Sequence, residues 1–409
     1  MFRSRARFVV LALATVALCP QARSSPQTAG RARTGIEGYE AMKSEPLRGK
    51  RFAIITNQTG VDSEGRRTVD LLARRPGMKL VAIFSPEHGL NGNADASVPD
   101  TTDPATHVPV YSLYGATRRP TDAMLRGVDV MIFDIQDAGV RFYTYVTTMA
   151  YCMEEAAKHD IEFYVLDRPN PLGGEIVEGP MLDPDKLSFT GYFPMPVRYG
   201  MTIGELAQMF NAENKIGVDL HVVEMGNWQR DQTYDETGLP WIAPSPNLPN
   251  LNAAFLYPGI EILQAGGVSV GRGTETPFEV LGAPWIDAAA LAAELNRRQI
   301  PGVTFAPAHF TPSHDLYDGE ACSGVTLKII SRQELRPMRL GLEIADALHR
   351  MYPQQFELAK IVQLLGSQQT VDQLARGEPP AEIVAGWSKD LAKFRQLRAK
   401  YLLYHSQYH

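Results

Sequence analysis

Four apolar runs in the N-terminal half of the sequence each end in polar residues that could bind or transform a substrate. After these runs stand, in order, Asn57 and Gln58, then Glu87 and His88, then Asp134, Gln136, Asp137, Arg141, Tyr143 and Tyr145, and finally Asp167, Arg168 and Asn170. Carboxylates, amides, guanidinium groups and phenols transfer protons and bind hydroxyl-rich or anionic ligands. Four adjacent strand ends with such side chains predict one polar cleft.

Glu87 is the most informative of these acids. It follows a predicted buried strand, and Pro86 and Gly89 shape its loop so that a ligand or another backbone can approach. A carboxyl group at the lip of an apolar sheet loses solvation, which raises its pKa toward the range of a general acid. The alternative is a loop carboxylate that pairs with His88 or with an arginine. His88 itself could tune Glu87, bind a metal or cap the loop.

The other charged residues also have two interpretations each. Asp134 and Asp137 are either catalytic or position Arg141 and backbone amides. Arg141, Arg168 and Arg272 either clamp a substrate carboxylate through their two-pronged donors or link domains through ion pairs.

The overall composition is that of an ordinary globular protein. Of 409 residues, 44% are hydrophobic and 21% are charged, which excludes disordered, collagen-like and coiled-coil proteins. The net charge of −6 argues against a partner held by global charge, such as nucleic acid or an anionic membrane. At roughly 150 residues per domain, the length predicts two or three domains.

The N-terminus has the order of a cleavable export signal. Three arginines within the first seven residues precede the apolar run 8–18, and small residues follow at positions 22, 24 and 25. The run is too short to span a bilayer, so we predict a signal peptide over residues 1–24 and a periplasmic or secreted protein without a membrane span.

The three cysteines form no recognisable framework, because positions 19, 152 and 322 match no zinc-binding spacing. Cys19 does not indicate a lipoprotein, since Leu18 is bulky where a small residue is expected. Export would allow a disulfide between Cys152 and Cys322, and two buried free thiols are the alternative.

Apolar strands alternate with helices through the N-terminal half. We predict strands at 52–56, 79–85, 109–113, 128–135, 162–166 and 218–224. We predict helices at 66–75, 121–126, 146–159 and 202–214, the last beginning with a capping box of Thr202 and Glu205. This alternation predicts an α/β fold with a mostly parallel, doubly wound sheet, in which ligands bind beyond the carboxyl ends of the strands.

A proline-rich segment at 244–249 predicts a domain boundary, with a catalytic domain at 34–250 and a smaller α+β domain at 251–409. In the second domain we predict a helix at 287–298 capped by Asp287, strands at 303–310 and 324–331, a long helix at 334–351 and a last amphipathic helix. The sequence lacks the motifs of serine hydrolases, P-loop proteins and zinc proteases.

A series of motifs occurs in a fixed order along the chain. They are Thr56-Asn-Gln-Thr-Gly60, Phe84-Ser-Pro-Glu-His-Gly89, Phe133-Asp-Ile-Gln-Asp137, Arg141-Phe-Tyr-Thr-Tyr145, Leu166-Asp-Arg-Pro-Asn-Pro171, Gly238-Leu-Pro-Trp241, Pro244-Ser-Pro-Asn247, Gly271-Arg-Gly-Thr274 and Pro277-Phe-Glu279. Together they resemble the exo-β-N-acetylmuramidase (NamZ-type) family, long described as a domain of unknown function.

The resemblance implies a Rossmann-like N-terminal domain, a smaller α+β C-terminal domain and an active site in the cleft between them. It also implies, without a cofactor, the release of N-acetylmuramic acid from non-reducing ends of peptidoglycan-derived muropeptides or disaccharides. Val270 stands where many relatives carry Glu, so acid chemistry at that position is either non-essential or altered here.

The resemblance makes Glu87 the general acid, within the family's Ser-Pro-Glu-His motif. The second group is Asp137, Asp134, Glu275, Tyr143 or the acetamido oxygen of the substrate itself. The lactyl carboxylate of muramic acid gives Arg141, Arg168 or Arg272 a specific task. The remaining predicted substrate-binding residues are Asn57, Gln58, His88, Gln136, Tyr145, Asp167 and Asn170.

Two other functions fit the residues. One is a metal-dependent hydrolase in which Glu87, His88, Asp134 and Asp137 are hard ligands. The other is a muropeptide-binding protein without catalytic activity.

Overall fold

The computed structural model describes residue 1 and residues 30–42, 44–94 and 98–406. The predicted signal peptide therefore lies almost entirely outside the described residues. The chain from Arg31 onward forms one compact unit, and the boundary predicted near residue 250 stays a prediction. Within the described residues, no helix combines the length and the apolar character needed to cross a membrane.

The N-terminal half is built on nine strands, seven of which form one sheet. They are, in chain order, β1 (Arg51–Thr56), β2 (Lys79–Ser85), β3 (Thr101–Thr102), β4 (Pro109–Ser112), β5 (Val130–Asp134), β6 (Glu162–Leu166), β7 (Glu178–Met181), β8 (Pro196–Arg198) and β9 (Leu220–Val223). The large sheet has the order β3-β4-β2-β1-β5-β6-β9 and is parallel except for β3, while β7 and β8 form a separate hairpin.

This order confirms the Rossmann-like fold. From β1 the chain builds outward through β2 to β4, then crosses back to add β5, β6 and β9 on the other side. The central strands are apolar throughout: β5 is buried at every position and β1 at every position after Arg51. Such strands require cover on both faces, as parallel sheets do.

Four helices accompany this sheet, namely α1 (Gly35–Ala41), α2 (Thr68–Ala73), α3 (Tyr145–Lys158) and α4 (Ile203–Glu213). The capping box predicted for α4 is present, with Thr202 as N-cap and Glu205 bonded back to the Thr202 backbone. The helix predicted at 121–126 is wrong in type, because that segment forms hydrogen-bonded turns only.

The C-terminal half is α+β, as predicted. Its elements are α5 (Leu251–Ile260), β10 (Val280–Ala283), α6 (Ala288–Arg297), β11 (Val303–Phe310), β12 (Cys322–Ile329), α7 (Pro337–Met351), α8 (Val362–Leu365), α9 (Gln368–Ala375), α10 (Pro380–Gly386) and α11 (Ser388–Arg398). The strands form an antiparallel sheet in the order β10-β12-β11. Short 3-10 helices occur at Pro184–Lys186, Tyr234–Thr237, Glu261–Gly266 and Leu358–Ile361.

Helix α5 has no amphipathic signature in the sequence. Residues from Ala253 to Ile260 are all buried, so the helix is apolar on every side, and it contains Pro258. Cys152 and Cys322 are both buried free thiols, which decides between the two predicted alternatives. Val270 is also a core residue, 1% exposed.

Candidate active site

The carboxyl ends of β1 and β5 mark the point where the sheet changes direction. Thr56 at the end of β1 is the register partner of Asp134 at the end of β5, and β2 lies on the other side of β1. In sheets of this order, ligands bind in the crevice at this switch point. The polar segments after β1, β2 and β5 therefore meet at the position where a ligand is expected.

Glu87 lies in the loop after β2 and is half-buried. Its Oε2 accepts a hydrogen bond from Thr144 Oγ1 at 2.5 Å, and this carboxylate also interacts with the Tyr114 phenol. Burial, reinforced by the neighbouring Glu87 charge, raises the pKa of Tyr114 to about 12. His88 and Gly89 both have positive φ angles, which produces the tight turn that presents Glu87. The result is a half-buried carboxylate held by the Thr144 hydroxyl and adjoined by Tyr114.

Three tyrosines form a wall behind Glu87. The Tyr145 hydroxyl donates to Pro244 O at 2.6 Å, accepts from Asn57 Nδ2 at 3.1 Å and lies 3.3 Å from Glu87 O. The Tyr143 ring packs edge-on against Tyr145 at 4.6 Å and against Tyr257 at 6.0 Å. Burial raises the pKa of all three phenols, so they remain neutral hydrogen-bonding groups.

Asp137 lies next to this tyrosine wall and is only 6% exposed. Its Oδ2 accepts hydrogen bonds from the Tyr199 hydroxyl and from Gly139 N, whereas its Oδ1 is buried without a hydrogen-bond partner among the described residues. Burial raises the pKa of Asp137 to about 6. The group is therefore poised to change charge near neutral pH, although it lies below the surface.

The C-terminal half supplies a cation and a second carboxylate. Arg272 Nη2 pairs with Glu261 Oε1 at 2.5 Å, and Arg272 Nε lies 3.8 Å from Asp315 Oδ2. The Arg272 side chain is 24% exposed, whereas that of Glu261 is 9% exposed. Burial raises the pKa of Glu261 despite the opposing effect of Arg272. Glu87 interacts electrostatically with both Glu261 and Tyr257, so the site combines residues from both halves of the chain.

Comparisons with known proteins agree with this arrangement. Sequence models of the N-terminal and C-terminal parts of exo-β-N-acetylmuramidase NamZ match residues 52–252 and 255–404. A peptidoglycan β-N-acetylmuramidase NamZ from Bacillus subtilis (strain 168) is 42% identical over 390 residues, which cover 94% of both chains. The chain belongs to the NamZ exo-β-N-acetylmuramidase family. It therefore belongs to a family of glycosidases, as the ordered motifs predicted.

Two crystal structures share the NamZ-family fold. They are DUF1343 family proteins from Bacteroides fragilis NCTC 9343, with TM-scores of 0.83 and 0.75 and sequence identities of 38% and 34%. The similarity covers 91% and 92% of this chain and 99% of each of the two Bacteroides chains.

Of the predicted arginines in this NamZ-family chain, the structure places Arg141 and Arg168 away from solvent. Arg141 donates to four backbone carbonyls, those of Pro180, Met195, Leu364 and Leu365, at 2.7 to 3.2 Å. Arg168 donates to Asp134 Oδ1 at 2.5 Å and to Val61 O at 2.7 Å. These bonds occupy the donors that would clamp a substrate anion. Arg272 remains the accessible cation of the three.

Several predicted substrate-binding residues likewise bond to their own chain. Asp167 accepts from Thr202, Tyr404, Gly204 and the Arg168 amide, and burial raises its pKa to about 6. Two amide side chains also bond within the chain. Gln136 donates to Asp137 O and Pro169 O. Asn170 donates to Met201 O and accepts from Leu172 N. These contacts hold loops in place.

The remaining predicted residues border a cleft or are exposed. Gln58 donates to Ala243 O at 2.8 Å, and His88 Nδ1 lies 2.7 Å from Ala94 O. Both residues line a cleft of about 620 Å³ at the carboxyl ends of β1 and β2, together with Asn57. Glu275 is exposed on the loop that follows Arg272.

The structure does not assemble the four ligands of the alternative metal site. Within the described residues, the one group of His, Cys, Asp or Glu side chains with converging ligand atoms is Glu162, Asp219 and His221. This group lies around the amino end of β6, at the opposite edge of the sheet from Glu87, and Glu162 already pairs with Lys50.

Sequence reasoning missed Thr144, Tyr114, Tyr257 and Glu261. Glu261 had a usable signal, because it is the one charged residue in the run 251–267. A lone acid within an apolar segment is buried only where a partner compensates its charge. Thr144 and Tyr114 had no comparable signal.

Proposed function

We propose that this protein is an exported, exo-acting glycoside hydrolase that releases N-acetylmuramic acid from non-reducing ends of peptidoglycan fragments, in cell-wall turnover or recycling. Family membership supports the sugar and the bond. The observation that carries the reaction is the half-buried carboxylate of Glu87, which Thr144 holds beside the sheet's switch point. The N-terminal order of arginines, apolar run and small residues supports export.

Glu87 acts as the general acid. In its protonated form it donates to the glycosidic oxygen as the bond to the anomeric carbon breaks, so that the leaving sugar departs as a neutral alcohol. Thr144 and Tyr114 fix the orientation of the carboxyl group. Tyr145 positions the loop backbone at the same residue and ties it to Pro244.

Arg272 binds the lactyl carboxylate of the terminal sugar. The protein as a whole is acidic, with a net charge of −6, so an anionic sugar requires a local cation. Glu261 holds one edge of the guanidinium, which leaves the exposed part of the Arg272 fork for the substrate. This contact distinguishes muramic acid from glucosamine, which lacks the lactyl group.

The acetamido oxygen of the substrate is the group that attacks the anomeric carbon. The protein alternatives on the tyrosine wall, Asp137 and Tyr143, are each 6% exposed, and Asp134 is fully buried against Arg168. An internal attack needs no second accessible carboxylate at about 5 Å from the acid. Progressive fluorination of the acetamido group should lower the rate steeply, whereas an unchanged rate would favour Asp137, Tyr143 or the exposed Glu275.

The decisive experiment compares two chromogenic substrates, a β-N-acetylmuraminide and the matching β-N-acetylglucosaminide, with the protein lacking residues 1–24. We expect cleavage of the muraminide, also after exhaustive chelation, and little cleavage of the glucosaminide. The conservative variant Arg272→Lys keeps a charge beside Glu261 and should raise KM for the muraminide. Cleavage of neither substrate, or preference for the glucosaminide, would contradict the proposal.

A further inference from the structure

A cluster of aromatic rings and arginines lies next to Tyr114. The Tyr114 ring packs against Phe189 at 6.2 Å, and Phe189 packs against Tyr151 at 6.0 Å. Arg118 lies over the Phe189 ring at 4.3 Å, and Arg119 lies over the Tyr151 ring at 3.7 Å. Tyr114 also interacts with Glu87, so the cluster lies close to the proposed catalytic carboxylate.

The two arginines of the cluster differ in their partners. Arg119 pairs with Glu154 at 2.5 Å and with Glu155 at 3.1 Å, so its charge is compensated. Arg118 is exposed, and no carboxylate of the described residues lies within ion-pair distance of it. A guanidinium that stacks flat on a ring keeps its N–H edges directed outward, which suits a two-pronged contact with a carboxylate.

Two cations act electrostatically on Tyr114. Both Arg118 and Arg272 lower the pKa of its phenol, against the larger effect of burial, so both act within electrostatic reach of it. They belong to separate anchors, because Arg118 rests on Phe189 and Arg272 rests on Glu261 and Phe278. A site that binds a single anion would need only one of these two cations.

The chemistry of an exo-acting enzyme limits what the second cation can meet. The released sugar is terminal and carries one lactyl carboxylate, which the proposed function assigns to Arg272. All other sugars of the fragment lie on the leaving-group side of Glu87. In a fragment longer than a disaccharide, that side carries a further muramic acid with its own carboxylate.

We propose that Arg118, stacked on Phe189 and next to Tyr114, forms a subsite for the leaving part of the substrate and binds the carboxylate of its next muramic acid. This inference rests on the proposed function. The subsite gives the enzyme a preference for longer glycan fragments over the disaccharide. The contact of Arg118 with this carboxylate is electrostatic and solvent-exposed, so added salt weakens it.

The test measures kcat and KM for two substrates that carry no peptide. One is the disaccharide of N-acetylmuramic acid and N-acetylglucosamine. The other is the tetrasaccharide made of two such disaccharides. For Arg118→Gln we expect KM for the tetrasaccharide to rise about fivefold, with kcat and the disaccharide KM unchanged. Arg118→Lys should restore part of the loss, and high salt should reduce the difference. Arg126→Gln, an exposed arginine on the same β4–β5 connection, is the matched control.

Each other outcome overturns the inference in a recognisable way. Equal increases of KM for both substrates would assign Arg118 to the released sugar. Unchanged kinetics for both substrates would show that Arg118 binds no part of the glycan. If the wild-type protein cleaves neither fragment, the proposed function fails and the subsite fails with it.

Discussion

Two parts of the same carboxyl edge carry the same residue types and differ in access. After β1 and β2, Gln58 and Glu87 are only half-buried, and Gln58 borders an open cleft. After β5 and β6, Asp134 and Arg168 are buried and bonded to each other. A polar side chain at a strand end is therefore available to a substrate only where the fold leaves it accessible and short of internal partners.

The difference arises from what covers each part of the edge. Arg141, beyond β5, donates to carbonyls of the β7–β8 hairpin region and of Leu364 and Leu365 in the C-terminal half. Asp167, beyond β6, accepts from Tyr404 near the C-terminus. The late part of the chain thus closes the β5–β6 side, while the β1–β2 side stays open. Four substitutions test this contrast, in order of decreasing expected effect.

Removing the charge of Arg168 should cause the largest change. In Arg168→Met, the fully buried Asp134 carboxylate loses its partner, and we expect the free energy of unfolding to fall by about 3–5 kcal/mol. Chemical denaturation measures the loss. The exposed Arg126→Met should change stability by less than about 0.5 kcal/mol. A value for Arg168→Met near that of the control would show that the pair is not structural.

Glu87→Gln should give the opposite pattern. We expect kcat to fall on the order of 10² or more, because the glutamine cannot protonate the leaving group. The melting temperature should stay close to that of the wild type, since the side chain is half-exposed and keeps an acceptor for Thr144. A near-wild-type rate would remove Glu87 from the mechanism and favour a binding protein.

Asp167→Asn should destabilise the protein without a specific effect on chemistry. Its carboxylate accepts hydrogen bonds from two hydroxyls and two amides, and an asparagine can accept at one oxygen only. We expect a loss of about 1–3 kcal/mol in the free energy of unfolding. Tyr404→Phe, which removes one of these donors, should cost less. A loss of kcat at temperatures where the variant is fully folded would instead place Asp167 at the site.

Asp137→Asn should mainly change how stability depends on pH. The pKa of Asp137 is raised to about 6 in the folded protein, so folding takes up a proton between the ordinary aspartate pKa and that value. Its contribution to stability is therefore largest at acid pH and declines as the pH rises through about 6. We expect the melting temperature of the variant to fall less than that of the wild type between pH 5 and pH 7. Parallel curves for the two proteins would contradict the raised pKa.

The sequence predicted the fold in considerable detail. Strands β2, β6 and β11 have the predicted bounds, and the caps Thr202 and Asp287 begin their helices as predicted. These features depend on residues that are close in sequence. Apolar runs mark the strands, and each cap side chain bonds to a backbone amide within three positions. Helix α5 was not predictable in this way, because a helix buried on every side has no polar face to produce a period.

The candidate site was predicted only in part. Glu87 and Arg272 could be singled out from residue type and motif. In the structure neither is fully buried, and the charges of both act on the Tyr114 phenol. Arg141 had the same type and the same strand-end setting, yet it is 1% exposed. Nothing local separates these arginines, because the four carbonyls that Arg141 binds belong to residues 39 to 224 positions away.

Residue order alone was enough to predict the alternation of strands and helices and the family, and to select Glu87 as the candidate general acid. All of these reside in short segments whose chemistry is complete within a few residues. The folded structure was needed to show which polar groups bond internally and that Glu261 compensates Arg272. It was also needed to show that no acid among the described residues pairs with Arg118. Burial and pairing are properties of contacts between distant segments, so they exist only after the chain has folded.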